Sequence, residues 1–171
     1  MEVGSRRQFL AVLGAAVGLA PAIAYLGSEV GAPTHGDGRV AFPIIRSDDE
    51  WRALLAPAAY KVLRQGNTGW AFSSPLDHES RPGRYRCAGC ARHVFSSDAK
   101  YDSGTGWPSF SAPVAGAVGT CVDRSMFMVR TEVHCADCGG HLGHLFPDGP
   151  RPTGLRYCMN GVALTFEPLR S

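Results

Sequence analysis

The sequence predicts a mainly β protein of the α+β class, in which short N-terminal helices precede an antiparallel β body. Helical spacing of apolar residues is confined to residues 47–63, whereas short β-prone pieces alternate with Gly and Pro turns from residue 84 onward. Two Cys-x-x-Cys pairs fall within this second region. A chain of 171 residues that is 44% apolar is long enough for one such domain and a tail.

The charge balance argues against one class of function. Seventeen Lys and Arg residues against fifteen Asp and Glu residues give a net charge of +2, without the concentrated basic patch that binding to phosphate groups requires. We therefore expect no nucleic-acid partner. The apolar content also argues against a disordered chain.

The first residues have the pattern of an export signal. Arg6 and Arg7 stand directly before an uncharged stretch, residues 11–24, which ends in the small residues Ala22 and Ala24. The order Ser-Arg-Arg-x-Phe-Leu resembles the twin-arginine signal, whose pathway exports folded proteins. We therefore expect an exported protein, periplasmic or extracytoplasmic.

Cleavage near Ala24 would leave one folded domain. About fourteen uncharged residues are short for a stable membrane span, so an uncleaved anchor is the alternative that we favour less. We predict a signal peptide over residues 1–24, a linker rich in Gly, Pro and Ala over 25–42, and the folded domain over 43–171.

Two short helices open the folded domain. Ser47 followed by Glu50 is typical of a capping box, and apolar residues recur at helical spacing as far as Leu55. Pro57 suits the first turn of a second helix, which we expect to continue through Leu63.

Residues 65–83 are rich in Gly, Asn, Ser, Pro and Asp and predict a long ordered loop. Because Gly and Pro turns separate the pieces that follow, we expect a mostly antiparallel β body. The β-prone pieces are residues 84–86, 93–95, 118–122, 126–133 and 161–166.

Four of the six cysteines have the spacing of a structural zinc site. One pair is Cys87-x-x-Cys90 and the other is Cys135-x-x-Cys138, separated by a folded insert. A tight turn lets both thiolates of a pair reach one ion, and two pairs complete a tetrahedron. Such a site has no open position, so the ion would hold the fold and carry out no chemistry. Redox dithiols and structural disulfides are alternative interpretations of the pairs.

The other two cysteines are Cys121 and Cys158, and Cys158 has the neighbours of a nucleophile. Arg156 lies two residues before it, beside a strand pattern, and would favour the thiolate and lower the pKa of the thiol. Asn160, two residues after it, could donate a hydrogen bond to the thiolate. A buried, unreactive cysteine is the alternative.

His141 and His144 follow the second cysteine pair directly. Histidines held near a rigid metal site can act as general acid or base groups, while metal ligands and surface residues are the alternatives. Trp107, between Gly and Pro, suits either the wall of an apolar pocket or the core. The residues alone therefore indicate a zinc-stapled β domain with thiol chemistry on an unspecified substrate.

At these residues the sequence closely resembles the B-type methionine sulfoxide reductases, which reduce the R epimer of methionine sulfoxide. The resemblance covers about residues 47–166 and implies a β-tent-like body with zinc at one end. Besides the cysteine pairs, the matching motifs are Ser103-Gly-Thr-Gly-Trp-Pro-Ser-Phe110, Arg130-Thr-Glu-Val133, His141-Leu-Gly-His-Leu-Phe146, Asp148-Gly-Pro150 and Pro152-Thr-Gly-Leu-Arg-Tyr-Cys-Met-Asn160.

The resemblance also implies a role for each site residue. The cysteine attacks the sulfoxide sulfur, the histidines protonate the oxygen, and the Arg and Asn stabilise the thiolate. Trp107 packs on the substrate methyl group. The resulting sulfenic acid is reduced by a thiol, such as that of a thioredoxin-like partner. The residues implied for catalysis are Cys158, His141, His144, Arg156 and Asn160.

The sequence departs from the family at two places. Many members carry a resolving cysteine in a Ser-Gly-Cys-Gly-Trp segment, where this chain has Thr105. Two routes stay open: Cys121 resolves the sulfenic acid, or an external thiol attacks it directly. Met126 and Phe127 replace a common His-Gly in a strand near the site. The change would widen the pocket or make it more apolar, or it would cause repacking alone, the alternative that we favour. Nothing indicates a large apolar interface, so we expect a monomer.

Overall fold

The structure is a computed structural model that describes residues 41–170. The predicted signal peptide, and all of the predicted linker except residues 41–42, lie outside the described residues. Within residues 41–170, no helix has the length and apolar character needed to cross a lipid bilayer.

The two predicted helices are confirmed as α1 (Asp48–Leu54) and α2 (Pro57–Gln65). At the start of α1, Ser47 Oγ accepts a hydrogen bond from the Glu50 amide at 3.3 Å, and the Glu50 carboxylate accepts one from the Ser47 amide at 2.7 Å. Helix α2 ends at Gly66, whose φ of 67° is in the left-handed region that favours glycine. Both helices bury one face against the β body.

The nine strands of the described residues form two sheets in which every pairing is antiparallel. The strand orders are β2-β1-β9 and β3-β4-β8-β7-β6-β5. The predicted mainly β, antiparallel class is therefore confirmed. The strands are β1 (Gly83–Cys87), β2 (His93–Ser96), β3 (Lys100–Tyr101), β4 (Ser109–Phe110), β5 (Val118–Asp123), β6 (Arg130–Cys135), β7 (His141–Phe146), β8 (Arg156–Met159) and β9 (Leu164–Pro168).

The strand predicted at residues 126–133 is wrong in its first half, because β6 begins only at Arg130. Met126 and Phe127 have φ angles of 55° and 57°, which turn the chain at the tip of the β5–β6 hairpin. Both side chains are exposed. The predicted effect of this pair on a strand near the site is therefore also wrong, since the pair stands outside the sheet.

An aromatic cluster joins the two sheets and fixes β4 beside the smaller sheet. The rings of Phe95 on β2 and Phe110 on β4 stack with centroids 4.4 Å apart. Tyr85 on β1 packs edge-on against Phe110 at 4.9 Å. All three side chains are fully buried. Because β4 pairs with β8, this packing also holds the strand that carries Cys158.

Candidate active site

The four paired cysteines form one cluster, in which all Sγ atoms lie within 4.8 Å of one another. The nearest sulfurs belong to different pairs: Cys87 and Cys138 are 3.7 Å apart, and Cys90 and Cys135 are 3.5 Å apart. Four thiolates at the usual Zn–S distance of about 2.3 Å have sulfurs about 3.8 Å apart. The donor set and its spacing therefore fit a tetrahedral zinc ion. All six cysteines are free thiols, which does not favour the disulfide interpretation.

Each cysteine pair is shaped by a turn that closes on its first member. The Ala91 amide donates to the Cys87 carbonyl at 2.8 Å, and the Gly139 amide donates to the Cys135 carbonyl at 2.9 Å. Ala91 and Gly139 both have positive φ, 61° and 66°. Hydrogen bonds from the neighbouring thiols, chiefly that of Cys138, lower the pKa of Cys135 and favour the thiolate that binds zinc.

Cys158 lies in the middle of the larger sheet, on β8. It stands directly opposite Ser109 on β4 and His144 on β7. Residues opposite one another in antiparallel strands project on the same face, so these three side chains are neighbours. Thr105 Oγ1 lies 4.0 Å from Cys158 Sγ.

The predicted lowering of the Cys158 pKa is wrong in direction. Burial raises the pKa of this thiol, and the positive charge of Arg156 and nearby hydroxyl groups only partly oppose that effect. The Arg156 guanidinium is shared with Asp148, to which it donates two hydrogen bonds of 2.8 Å. It also stacks on the Phe146 ring at 4.5 Å.

Each histidine of β7 is held by a carboxylate from the β5–β6 hairpin. His141 Nδ1 is 2.9 Å from Glu132 Oε1, and His144 Nε2 is 2.8 Å from Asp123 Oδ2. The two rings meet edge-on with centroids 5.2 Å apart. His141 Nε2 is buried and has no hydrogen-bond partner among residues 41–170. Burial lowers the pKa of His144, so this imidazole is neutral at pH 7.

The Asn160 side chain binds backbone groups, and within residues 41–170 it makes no hydrogen bond to the Cys158 thiol, contrary to the prediction. Its Oδ1 accepts from the Gly69 amide at 2.8 Å, and its Nδ2 donates to the Leu142 carbonyl at 3.2 Å. The indole nitrogen of Trp107 donates to the Gly69 carbonyl at 3.1 Å. Asn160 and Trp107 together therefore fasten the loop after α2 to the site.

Comparison with known proteins identifies the family. The family model described as the SelR domain matches residues 55–168. A peptide methionine sulfoxide reductase MsrB of Bradyrhizobium diazoefficiens is 55% identical over 126 residues, covering 73% of this chain and 91% of the relative. This chain belongs to the B-type methionine sulfoxide reductases. Relatives of the same name from Agrobacterium fabrum and Leptospira interrogans are 52% and 50% identical, covering 72% and 74% of this chain and 93% and 97% of theirs.

Membership of the B-type reductases confirms the predicted oxidoreductase class and the resemblance. The fold brings Cys158, His141 and His144 together on neighbouring strands. Glu132 and Asp123, which hold the histidines, were not predicted as site residues. Glu132 lies in a matching motif, but its place in the sheet, opposite His144, does not name its partner. Only the folded side chains show that its carboxylate binds His141.

Cys121 does not join the site. Across the sheet, Cys121 on β5 stands opposite Glu132 on β6, and Glu132 stands opposite His144 on β7. His144 in turn stands opposite Cys158 on β8, so three strand spacings separate the two cysteines. That separation is about 14 Å, whereas disulfide-bonded residues have Cα atoms about 4.4–6.8 Å apart. The geometry argues against an intramolecular disulfide between Cys121 and Cys158, one of the two routes left open by the sequence.

Proposed function

We propose that this protein reduces the R epimer of methionine sulfoxide in oxidised exported proteins, through a sulfenic acid on Cys158. The observation that carries the proposal is the pairing of Cys158 with His144, beside a second carboxylate-held histidine, His141. The names of the relatives and the SelR domain match support methionine sulfoxide as the substrate. The choice of epimer rests on the family resemblance.

His144 is suited to remove the thiol proton. Its Nε2 is bound to Asp123, which leaves Nδ1 as the basic nitrogen of a neutral imidazole. A base is required here because burial keeps Cys158 protonated at neutral pH. The thiolate then attacks the sulfoxide sulfur.

His141 is suited to act on the sulfoxide oxygen. Glu132 binds its Nδ1 and orients the ring, so that a protonated Nε2 would donate to the oxygen as negative charge develops there. One S–O bond breaks in the substrate and one forms on Cys158. The thiol and the methyl sulfoxide thus become a cysteine sulfenic acid and methionine, with two electrons passing to the substrate sulfur.

An external thiol completes the cycle, because Thr105 stands where many relatives have the resolving cysteine and Cys121 lies three strands from Cys158. One thiol of a thioredoxin-like partner attacks the sulfenic acid, releasing water and forming a mixed disulfide. The second thiol of the partner then attacks this mixed disulfide. That step frees the Cys158 thiol and leaves a disulfide within the partner.

The proposal includes one structural zinc ion per chain, bound by Cys87, Cys90, Cys135 and Cys138.

Export by the twin-arginine route is also part of the proposal and rests on the N-terminal sequence. Replacing Arg6 and Arg7 with Lys should retain the protein in the cytoplasm, as measured by cell fractionation. Unchanged export of this variant would contradict the twin-arginine route.

The function is tested with the two epimers of a methionine sulfoxide peptide, assayed separately with dithiothreitol as reductant. We expect turnover of the R epimer alone. Cys158→Ser should lose at least about 10³-fold in rate and keep its zinc, since only the nucleophile is removed. Cys121→Ser is the matched control and should retain full activity. Turnover of the S epimer instead, or an active Cys158→Ser variant, would refute the proposal.

A further inference from the structure

We propose that the β5–β6 hairpin carries a second metal site, separate from the four-cysteine cluster, for a divalent cation such as Zn²⁺. Its ligands are Cys121, Glu132 and His134. Their candidate ligand atoms, a thiol sulfur, a carboxylate oxygen and an imidazole nitrogen, all lie within 4.8 Å of one another.

The hairpin register brings these side chains together. Cys121 stands opposite Glu132, and Gly119 stands opposite His134 two residues farther along the strands. Residues two apart in a strand project from the same face, so all three ligands lie on one side of the hairpin. Gly119 has no side chain, and the His134 ring lies over it: a Cβ at Gly119 would be 2.5 Å from His134 Nε2. The ring therefore leans across β5 toward Cys121.

The donor set matches zinc more closely than it matches a hard cation. Thiolate, imidazole and carboxylate are the three ligand types of protein zinc sites, whereas Mg²⁺ and Ca²⁺ prefer oxygen donors alone. The Cys121 thiol donates to Glu132 Oε2 at 3.3 Å, and a bound ion would replace this shared proton. Cys121 is exposed while the other two ligands are half-buried, so a water molecule can complete the coordination.

The site shares a carboxylate with the candidate active site. Glu132 presents Oε2 to Cys121 and Oε1 to His141. A cation at Oε2 withdraws negative charge from this carboxylate and weakens the hydrogen bond by which Oε1 orients the His141 ring. Occupancy of the second site therefore lowers the reductase rate. This part of the inference rests on the proposed function.

Metal binding is tested on the full chain loaded with one structural zinc. Zn²⁺ is titrated against a chromophoric chelator, and Co²⁺ is added separately to detect thiolate-to-cobalt charge transfer. We expect a second equivalent in the unmodified protein and its loss in Cys121→Ser and in His134→Gln. Val122→Ser is the matched control, an exposed neighbour on the other face of β5 that should retain the second equivalent.

Cys158→Ser should also retain the second equivalent, which separates this site from the catalytic thiol. Absence of a second equivalent from the unmodified protein, or its persistence in Cys121→Ser or His134→Gln, would overturn the proposal.

The coupling to the active site is tested by the reductase rate. Saturating the second site should lower this rate at least tenfold in the unmodified protein and leave the rate of Cys121→Ser unchanged. An unchanged rate in both proteins would overturn the coupling through Glu132. A protein that binds the second ion but reduces neither epimer would contradict the proposed function and not the metal site.

Discussion

Burial and charge act in opposite directions on the Cys158 thiol. Burial disfavours the thiolate, and the Arg156 charge that opposes it is divided with Asp148. The thiol therefore stays protonated at neutral pH, and the proposed reaction needs a base to remove its proton. His144 stands directly opposite in the sheet and is itself kept neutral by burial.

The raised pKa of Cys158 predicts how its reactivity changes with pH. Because the thiolate is the reactive form, alkylation by iodoacetamide should accelerate as pH rises, with an inflection above the value of about 8.5 for a free cysteine. Arg156→Gln should move the inflection to still higher pH, and Arg156→Lys should move it less. Peptide mass spectrometry gives the rate at Cys158. An inflection below that of free cysteine would contradict the effect of burial.

Thr105 is placed where a second thiol would reach the nucleophile. Its Oγ1 lies 4.0 Å from Cys158 Sγ, close enough for a disulfide after a small adjustment. After one turnover without reductant, we expect the unmodified protein to retain a sulfenic acid that dimedone traps. Thr105→Cys should instead form a disulfide with Cys158, detected by mass spectrometry. Thr105→Ser is the control, and an intramolecular disulfide in that variant would show that another cysteine resolves.

At the level of secondary structure, β7 is the strand that brings the two histidines close to Cys158. Gly143 lies between them and faces Met159 and the backbone of Cys158 on β8. A Cβ at Gly143 would be 2.9 Å from Met159 Cα, closer than side chains tolerate. Strands β7 and β8 pair here because this residue has no side chain.

Gly143→Ala should therefore lower the free energy of unfolding by about 2 kcal/mol, the usual range for a strained extra methyl group. Urea denaturation monitored by circular dichroism measures the change. Gly69→Ala is the control, because its added Cβ would meet Asn160 Oδ1 at an ordinary 3.7 Å. Equal stability of the two variants would contradict the close approach of β7 and β8.

The β5–β6 hairpin acts through the two carboxylates that it presents to β7. Glu132→Gln keeps the shape of the side chain but removes the negative charge that faces Nδ1 of His141. We expect kcat for methionine sulfoxide to fall at least tenfold, within the contribution of about 10²–10⁴ that proton transfer makes. The zinc of the four-cysteine cluster and the urea midpoint should not change. A variant with unchanged kcat would exclude a role for this ion pair in the reaction.

Over the whole molecule, the four-cysteine cluster brings together one end of each sheet. Cys87 and Cys90 belong to the turn between β1 and β2 of the smaller sheet. Cys135 and Cys138 belong to the turn between β6 and β7 of the larger one. A zinc ion at this cluster would therefore cross-link chain segments that are far apart in sequence.

Removal of the metal should lower stability on the order of 4–5 kcal/mol, the size typical of a lost structural metal. For a domain of this length the midpoint of thermal unfolding should fall by roughly 10–20 °C. Calorimetry before and after chelation, with zinc added back as control, measures the change. A metal-free protein with an unchanged midpoint would show that the aromatic and apolar core suffices to hold the sheets together.

Features that depend on residues close in the chain were predictable. Ser47 and Glu50 specify the start of α1 through a capping box that spans three residues. The two Cys-x-x-Cys turns, likewise local, indicated a four-thiol cluster. The sequence neighbours of Cys158 made it a candidate nucleophile, and the motifs that match the B-type reductases imply the same role for it.

Features that depend on strand pairing were decided by the tertiary structure. Pairing of β4, β8, β7, β6 and β5 places Cys121 three strands from Cys158. Side-chain packing then brings the Glu132 carboxylate to His141, although His144 stands opposite it in the sheet. Burial, which no sequence spacing expresses, reverses the expected shift in the Cys158 pKa. Local sequence determines helix caps, turns and the available chemical groups, because their interactions span only a few residues. The distances between site residues, their hydrogen-bond partners and their burial depend on contacts between segments that are distant in the chain. Such contacts form only when the sheets pack.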